Sequence, residues 1–236
     1  IKDVFGSPDI RQIDGLGGAD VLTSKMAIVE RSNHPNADVS YTFGQVGITQ
    51  NKIDYSGNCG NISSGVGPYA IYEGLVKPVE PVTVVKVHQT NTDRVLLVHV
   101  PVRDGKPRIE GEESIDGVPG SAAQLKLDFS AFGGAITGRL LPTGKAKDTI
   151  EVDGKEFNFS FVDAGNPLVF IRAEELGLKG DETPEEIDAN PALNKTIEKI
   201  RGRAAVMAGM LDKADESPEK IPYIPFFAIV SKPQDY

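Results

Sequence analysis

One cysteine, Cys59, stands among the 236 residues. A single thiol excludes an internal disulfide framework and a multi-cysteine metal site, and it fits a reducing cytoplasm. No apolar run approaches the roughly 20 residues of a membrane span, and no signal-peptide pattern opens the chain. Positive charge is in deficit: 25 Lys and Arg against 34 Asp and Glu leave a net charge of −9. A general binder of nucleic acid or of a membrane surface needs a basic face, so neither is expected as a partner. An anionic small molecule is not excluded, because its site is local. Histidine is sparse as well. His88 and His99 lie in strand-like runs and His34 precedes Pro35 in a loop, with no His-x-x-x-His pair. All three read as structural, and no metal site is expected. No Gly-x-Ser-x-Gly nucleophile elbow occurs, since Ser56-Gly57 lacks the preceding glycine. The chain begins at Ile1 rather than methionine, as a processed chain or a piece of a longer one would.

What the sequence does hold is a set of short β-like runs punctuated by 25 glycines and 16 prolines. Strands are predicted at 25–29, 41–46, 82–88, 94–100, 149–152, 156–162 and 168–171. Residues 89–93 read as a hairpin connection, and Asp153-Gly154 as a type I′ turn. Asn190-Pro191 is a helix start. After it Leu193, Ile197, Ile200, Ala204, Met207 and Leu211 recur at steps of three and four, as on an amphipathic helix. A shorter helix is predicted from Gly60 through Ile71, with Pro68 as a potential kink. The acidic stretch 178–189 reads as a solvated connection with a helical turn. The class is α+β, mostly antiparallel. The Gly/Pro cluster at 117–121 marks the expected boundary between a domain 1–120 and a domain 121–236.

Four segments can carry chemistry. The most unusual is Asp54-Tyr55-Ser56-Gly57-Asn58-Cys59-Gly60-Asn61. Its cysteine sits where a helix begins, with Asn58 or Asn61 as the expected cap. A helix N-terminus binds anions and favours a thiolate, which would make Cys59 a base or nucleophile. The second is the glycine-rich Ile13 to Lys25, in which Lys25 supplies charge or a proton. Its spacing fits neither the P-loop nor the dinucleotide fingerprint. The third is Asp163-Ala164-Gly165-Asn166-Pro167, a turn that offers N–H groups and an amide to a carboxylate, although plain turn chemistry explains it equally. The fourth is Phe132-Gly133-Gly134-Ala135 with Arg139, a side chain able to clamp a carboxylate bidentately.

Five segments in order, Ile13–Lys25, Phe43-Gly44-Gln45-Val46, Asp54–Asn61, Leu140-Leu141-Pro142-Thr143-Gly144 and Val162–Pro167, together resemble the PrpF family, from about Phe5 to Phe170. Members of that family isomerise unsaturated carboxylates of the methylaconitate, methylitaconate, aconitate and oxalomesaconate type. The resemblance implies a diaminopimelate-epimerase-like fold, two similar domains each with a sheet wrapped around a central helix and a cleft between them. It implies no cofactor, and an acid/base pair that falls on Lys25 and Cys59. The family's opening strand and its Arg-Gly-Gly-Thr-Ser-Lys-Gly segment are missing here, and the family continues beyond the position of Tyr236. A chain truncated at both ends is therefore expected.

The implied reaction is an allylic proton shift, or cis-trans isomerisation, in a di- or tricarboxylate. A carbon acid this weak needs a positioned base and donors where the enolate oxygen develops. Lys25 and Cys59 share the acid and base work, in an order the sequence leaves open. Ser24, Ser56, Asn58, Gly60, Asn61, Gly165, Asn166 and Arg139 are the candidate substrate contacts. The partner is a small carboxylate, with oligomeric state, a homodimer included, left open. The alternatives are an amino-acid epimerase or racemase of the same fold, which would need a second cysteine, and a non-catalytic carboxylate-binding accessory protein.

Overall fold

The computed structural model describes residues 1–233. Two compact units make up the chain, one spanning Ile1–Ala131 and the other starting at Phe132. The 117–121 cluster lies inside the first. There Glu113 and Ala122 bridge, and the chain returns to pair Lys126–Asp128 with the main sheet.

The first unit opens with α1 (Lys2–Phe5) and a glycine-rich loop. Its sheet comprises β1 (Lys25–Arg31), β2 (Val39–Val46), β3 (Ile53–Asp54), β4 (Val82–Gln89), β5 (Arg94–Arg103), β6 (Lys106–Pro107) and β7 (Lys126–Asp128). The order is β1-β2-β4-β5-β6, with β3 beside β2 and β7 beside β5. Pairing is antiparallel except for β2 with β4, which is parallel. Strict alternation in β4 and β5 buries Thr83, Val85, Val87 and Leu96, Val98, Val100 on one face. Helix α2 (Gly60–Tyr72) covers that face with Ser63, Val66, Gly67, Ala70 and Ile71, residues spaced three and four apart, and runs on through Pro68.

The second unit has a four-stranded sheet, β8 (Asp148–Val152), β9 (Lys155–Asp163), β10 (Pro167–Arg172) and β11 (Phe226–Val230), in the order β11-β10-β9-β8. Asp153 and Gly154, at φ 52° and 78°, make the β8–β9 turn as the Asp-Gly pair predicts. Two short helices, α3 (Pro184–Asp188) and α5 (Ser217–Lys220), flank α4 (Pro191–Met207). Asn190 caps α4 by accepting from the Leu193 N–H at 3.1 Å. Its Ile200 and Ala204 pack on Phe157, Phe159, Phe161, Val169 and Ile171. The predicted stripe ran to Leu211, but the helix ends at Met207. Gly209 takes φ 70° there, and Met207 is exposed.

Candidate active site

In the first unit the register lines up Lys25, Gln45 and Asp54. Lys25 is the cross-strand partner of Gln45, which on its other edge is the partner of Asp54. Two strand spacings put the Lys25 and Asp54 backbones about 10 Å apart. Gln45 shares the parity of Val39, Tyr41 and Phe43 along β2, and Val39 pairs with Val87 of the helix-covered face. Lys25 therefore points to the side of the sheet on which α2 lies. It is half-buried, and no described residue bonds or pairs with its ammonium.

Lys25 is set there by the loop before it. Ser24 is fully buried, its hydroxyl 2.9 Å from Gln12 Oε1 and 3.1 Å from the Gly17 carbonyl. The Gln45 amide donates to the Ser24 and Val21 carbonyls, each at 3.0 Å. The organiser is Gln12, buried to 2 %. It also takes the Ala19 N–H at 2.8 Å and lies so close to Gly17 that a Cβ there would meet its carboxamide at 2.1 Å. The glycines of this loop thus admit a buried glutamine. Gln12 carries no motif signal, and sequence reading missed it.

The cysteine segment is pinned to the same sheet. Asp54 accepts from the Ser56 N–H at 3.1 Å and from the Ser56 hydroxyl at 2.9 Å. The Asn91 amide donates to the Tyr55 and Phe43 carbonyls. The chain then enters α2 with Cys59 itself as N-cap, in extended conformation. This corrects the expected asparagine cap. The Ser63 N–H bonds the Cys59 carbonyl, so Asn58 falls one residue outside the helix and Asn61 inside its first turn. The Cys59 side chain makes no cap bond and no acidic residue occupies the first turn. The N–H groups of Gly60, Asn61 and Ile62 have no acceptor within the helix. A positive helix end without its own anion, beside a half-buried thiol, suits a carboxylate. Gly60 leaves the approach open, its nearest neighbour Phe129 lying 3.9 Å from where a Cβ would be. Asn58 is buried. Beneath the helix end lies Tyr41, fully buried. Burial holds its phenol far above the ordinary tyrosine range. The Ser63 hydroxyl pulls the other way, and the charge of a Cys59 thiolate adds to the rise.

In the second unit Asp163 is the centre. Its buried carboxylate accepts from the Ile136 N–H at 3.0 Å, the Thr137 N–H at 2.7 Å and the Thr137 hydroxyl at 2.9 Å. The Gly134 N–H bonds its carbonyl, and its own N–H bonds the Leu140 carbonyl. The glycine segment 133–140 is thereby wrapped around the 163–166 turn. Gly134, at φ 70°, has no room for a Cβ, which would sit 2.5 Å from the Arg139 nitrogen. Gly165 is buried at φ 132°, Asn166 is half-buried and Arg139 is exposed. In the sequence Asp163 reads only as part of a turn. Its role as the acceptor that organises both segments depends on contacts across 26 and 27 positions. The surface hollow lined by Arg172, Glu174, Leu178, Lys179 and Val230 contains none of these candidate residues.

Comparison with known proteins bears on this arrangement. Residues 1–236 match the family model described as PrpF protein. The chain is 50 % identical over 236 residues to the 3-methylitaconate isomerase of Eubacterium barkeri, covering 100 % of this chain and 62 % of that protein. It is 38 % identical over 243 residues to the 2-methyl-aconitate isomerase of Shewanella oneidensis, covering 99 % and 61 %. A crystal structure of methylitaconate-delta-isomerase superposes with a TM-score of 0.81 at 50 % identity, over 100 % of this chain and 61 % of that one. The expected α+β fold is the fold of that structure. The chain spans a little over three fifths of the length of these relatives, and among its described residues no helix is long and apolar enough to cross a membrane.

Proposed function

The chain belongs to the PrpF family, and from that premise we propose that it is part of a cofactor-independent isomerase that moves an allylic proton in an unsaturated di- or tricarboxylate. The observation that carries the reading is the pairing in the first unit. A half-buried lysine without an ion-pair partner among the described residues points to the side of the sheet that α2 covers, and a half-buried cysteine stands at the uncompensated N-terminus of that helix. Lys25 and Cys59 divide the acid and base work, one removing the proton beside the conjugated carboxylate and the other returning it at the far carbon. The dienolate formed between the two steps carries its charge on a carboxylate oxygen. The free N–H groups of Gly60 and Asn61 are fixed dipoles suited to that oxygen or to a neighbouring carboxylate, each charge-assisted bond contributing about 1.5–3 kcal/mol. Ser24 and Ser56, whose hydroxyls are held by Gln12 and Asp54, position Lys25 and the cysteine segment. Gly165, Asn166 and Arg139 are the second unit's candidate carboxylate contacts.

The test is proton NMR in D₂O on a protein extended to the relatives' length, with methylitaconate-type and methylaconitate-type substrates. Solvent deuterium should enter the substrate. Cys59→Ser and Lys25→Ala should each lower the rate by at least about 10²-fold, the range of a general acid or base. Near-normal exchange in either variant removes that residue from the acid/base pair. Exchange into amino acids instead, or tight carboxylate binding without exchange, overturns the isomerase reading.

A further inference from the structure

Away from these residues, on the opposite face of the first unit's sheet, three side chains far apart in sequence converge. His34 lies in the β1–β2 connection, His88 on β4 and Asp93 in the β4–β5 hairpin. One donor atom from each lies within 4.8 Å of the other two. The two imidazoles stack with centroids 4.6 Å apart and planes 23° from parallel, and His88 Nε2 is 2.8 Å from Asp93 Oδ1. We propose that His34, His88 and Asp93 form a binding site for a divalent transition-metal ion of the zinc class.

The donor set supports this. Two neutral imidazoles and one carboxylate are the ligands that borderline divalent ions prefer. Three protein ligands leave a fourth position for water. His34 Nδ1 accepts the Asn36 N–H at 3.2 Å, so ligation through Nε2 exchanges that contact for an Nδ1–H that donates to another acceptor. At bond lengths of about 2.0–2.1 Å, tetrahedral donors stand about 3.3 Å apart. The donor atoms here lie within 4.8 Å of one another, at most about 1.5 Å beyond that spacing.

The scaffold holds both histidines in place. Ser40 is the cross-strand neighbour of His88. Its hydroxyl is 2.9 Å from that of Ser32, which accepts the His34 N–H at 3.0 Å. Asp38 clamps the same connection to β4 in both directions: its N–H donates to the Lys86 carbonyl and its carboxylate accepts the Lys86 N–H, each at 2.8 Å. Asp93 is presented by a hairpin built on buried Gln89, which accepts the N–H and the hydroxyl of Thr92.

Isothermal titration of the 236-residue chain with Zn²⁺, in a buffer that does not chelate, tests the proposal. The expected result is saturable binding of one ion per chain. His34→Ala and Asp93→Asn should weaken it by on the order of 10–100-fold or more, a loss already associated with outer-shell partners, with far-UV circular dichroism unchanged. Both substitutions lie in connections rather than in the core, and Co²⁺ absorption in the visible range gives a second readout of the same variants. Cys59→Ser controls for thiolate binding and should leave the affinity unchanged. Absence of saturable binding, binding indifferent to His34 and Asp93, or binding lost with Cys59 overturns the proposal.

Discussion

At the scale of single residues, the candidate site rests on buried polar groups that serve the backbone. Asp163 is the clearest. Its carboxylate satisfies two N–H groups and one hydroxyl of the 133–140 segment from a fully buried position. Replacement by asparagine removes the charge behind three bonds that all fall on Oδ2 and sets an NH₂ against the Gly165 N–H that Oδ1 now faces at 3.5 Å. Asp163→Asn should lower stability by about 2–4 kcal/mol, read as a shift of the urea midpoint; a shift within experimental error would mean the loop is held otherwise. Tyr41 makes a pH prediction. Its phenol ionises well above the ordinary range because it is buried, so folded and unfolded chains differ in bound protons only at alkaline pH. Below about pH 10 both hold the proton and the stability is fully present. Above it the unfolded chain releases the proton first, and stability falls as pH rises. The stability difference between the native chain and Tyr41→Phe should therefore be flat from pH 7 to about 10 and then change by up to about 1.4 kcal/mol per pH unit. A flat difference to pH 11.5 would show that Tyr41 is not held neutral. What sequence reading caught here was Cys59, since glycines and asparagines around a lone cysteine are visible locally. It missed Gln12 and the role of Asp163, because a buried acceptor is defined by groups that only folding brings to it.

Among the elements, α2 matters most, since its N-terminus carries Cys59. Gly67 sets how closely it sits on the sheet. A Cβ there would lie 2.7 Å from one Val98 methyl and 2.9 Å from one of Val100, both on a buried strand that cannot retreat. Gly67→Ala should lift the helix, lowering stability by about 1–3 kcal/mol, even though alanine is the better helix former by about 1 kcal/mol. The sign follows from which term is larger. Gly65 has no neighbour within 4 Å of a Cβ, so Gly65→Ala should stabilise or be neutral. Thermal melts of the pair separate the two effects, and equal melting temperatures would refute close packing at Gly67. Most elements were legible where their signals are local. Strict alternation marks β4 and β5, Asp153-Gly154 marks the β8–β9 turn, and Asn190-Pro191 marks the start of α4. The parallel pairs β2–β4 and β10–β11 were not legible, because their partners are set by topology. Phe226–Val230 went unpredicted as a strand for the same reason, its neighbour on β10 lying more than fifty residues upstream. The convergence of His34 with His88 follows from the β2–β4 pairing as well, which is why both histidines read as structural in the sequence.

For the molecule as a whole, the central fact is that each unit has its own core under its own helix. In the first, Tyr41, Val85, Val87, Leu96 and Val98 are fully buried on the face that α2 covers. In the second, Phe157, Phe159, Phe161, Val169 and Ile171 pack against α4. The structured bonds of each also close internally. The hairpin and β7 complete the first sheet before Ala131, and the Gly133–Ala164 bridge belongs to the second unit. Both lengths fall within the roughly 50–250 residues typical of an independent domain. Fragments 1–131 and 132–236, expressed separately, should each show a cooperative urea transition and a dispersed proton NMR spectrum. Fragment 1–131 would then carry Lys25, Cys59 and the three proposed metal ligands on a folded scaffold, while Asp163→Asn would act only on the other fragment. A fragment that is unfolded in isolation would show that its core is insufficient alone. In that case the positions of its candidate residues would depend on the remainder of the chain, and substitutions such as Gly67→Ala could no longer be read within one unit.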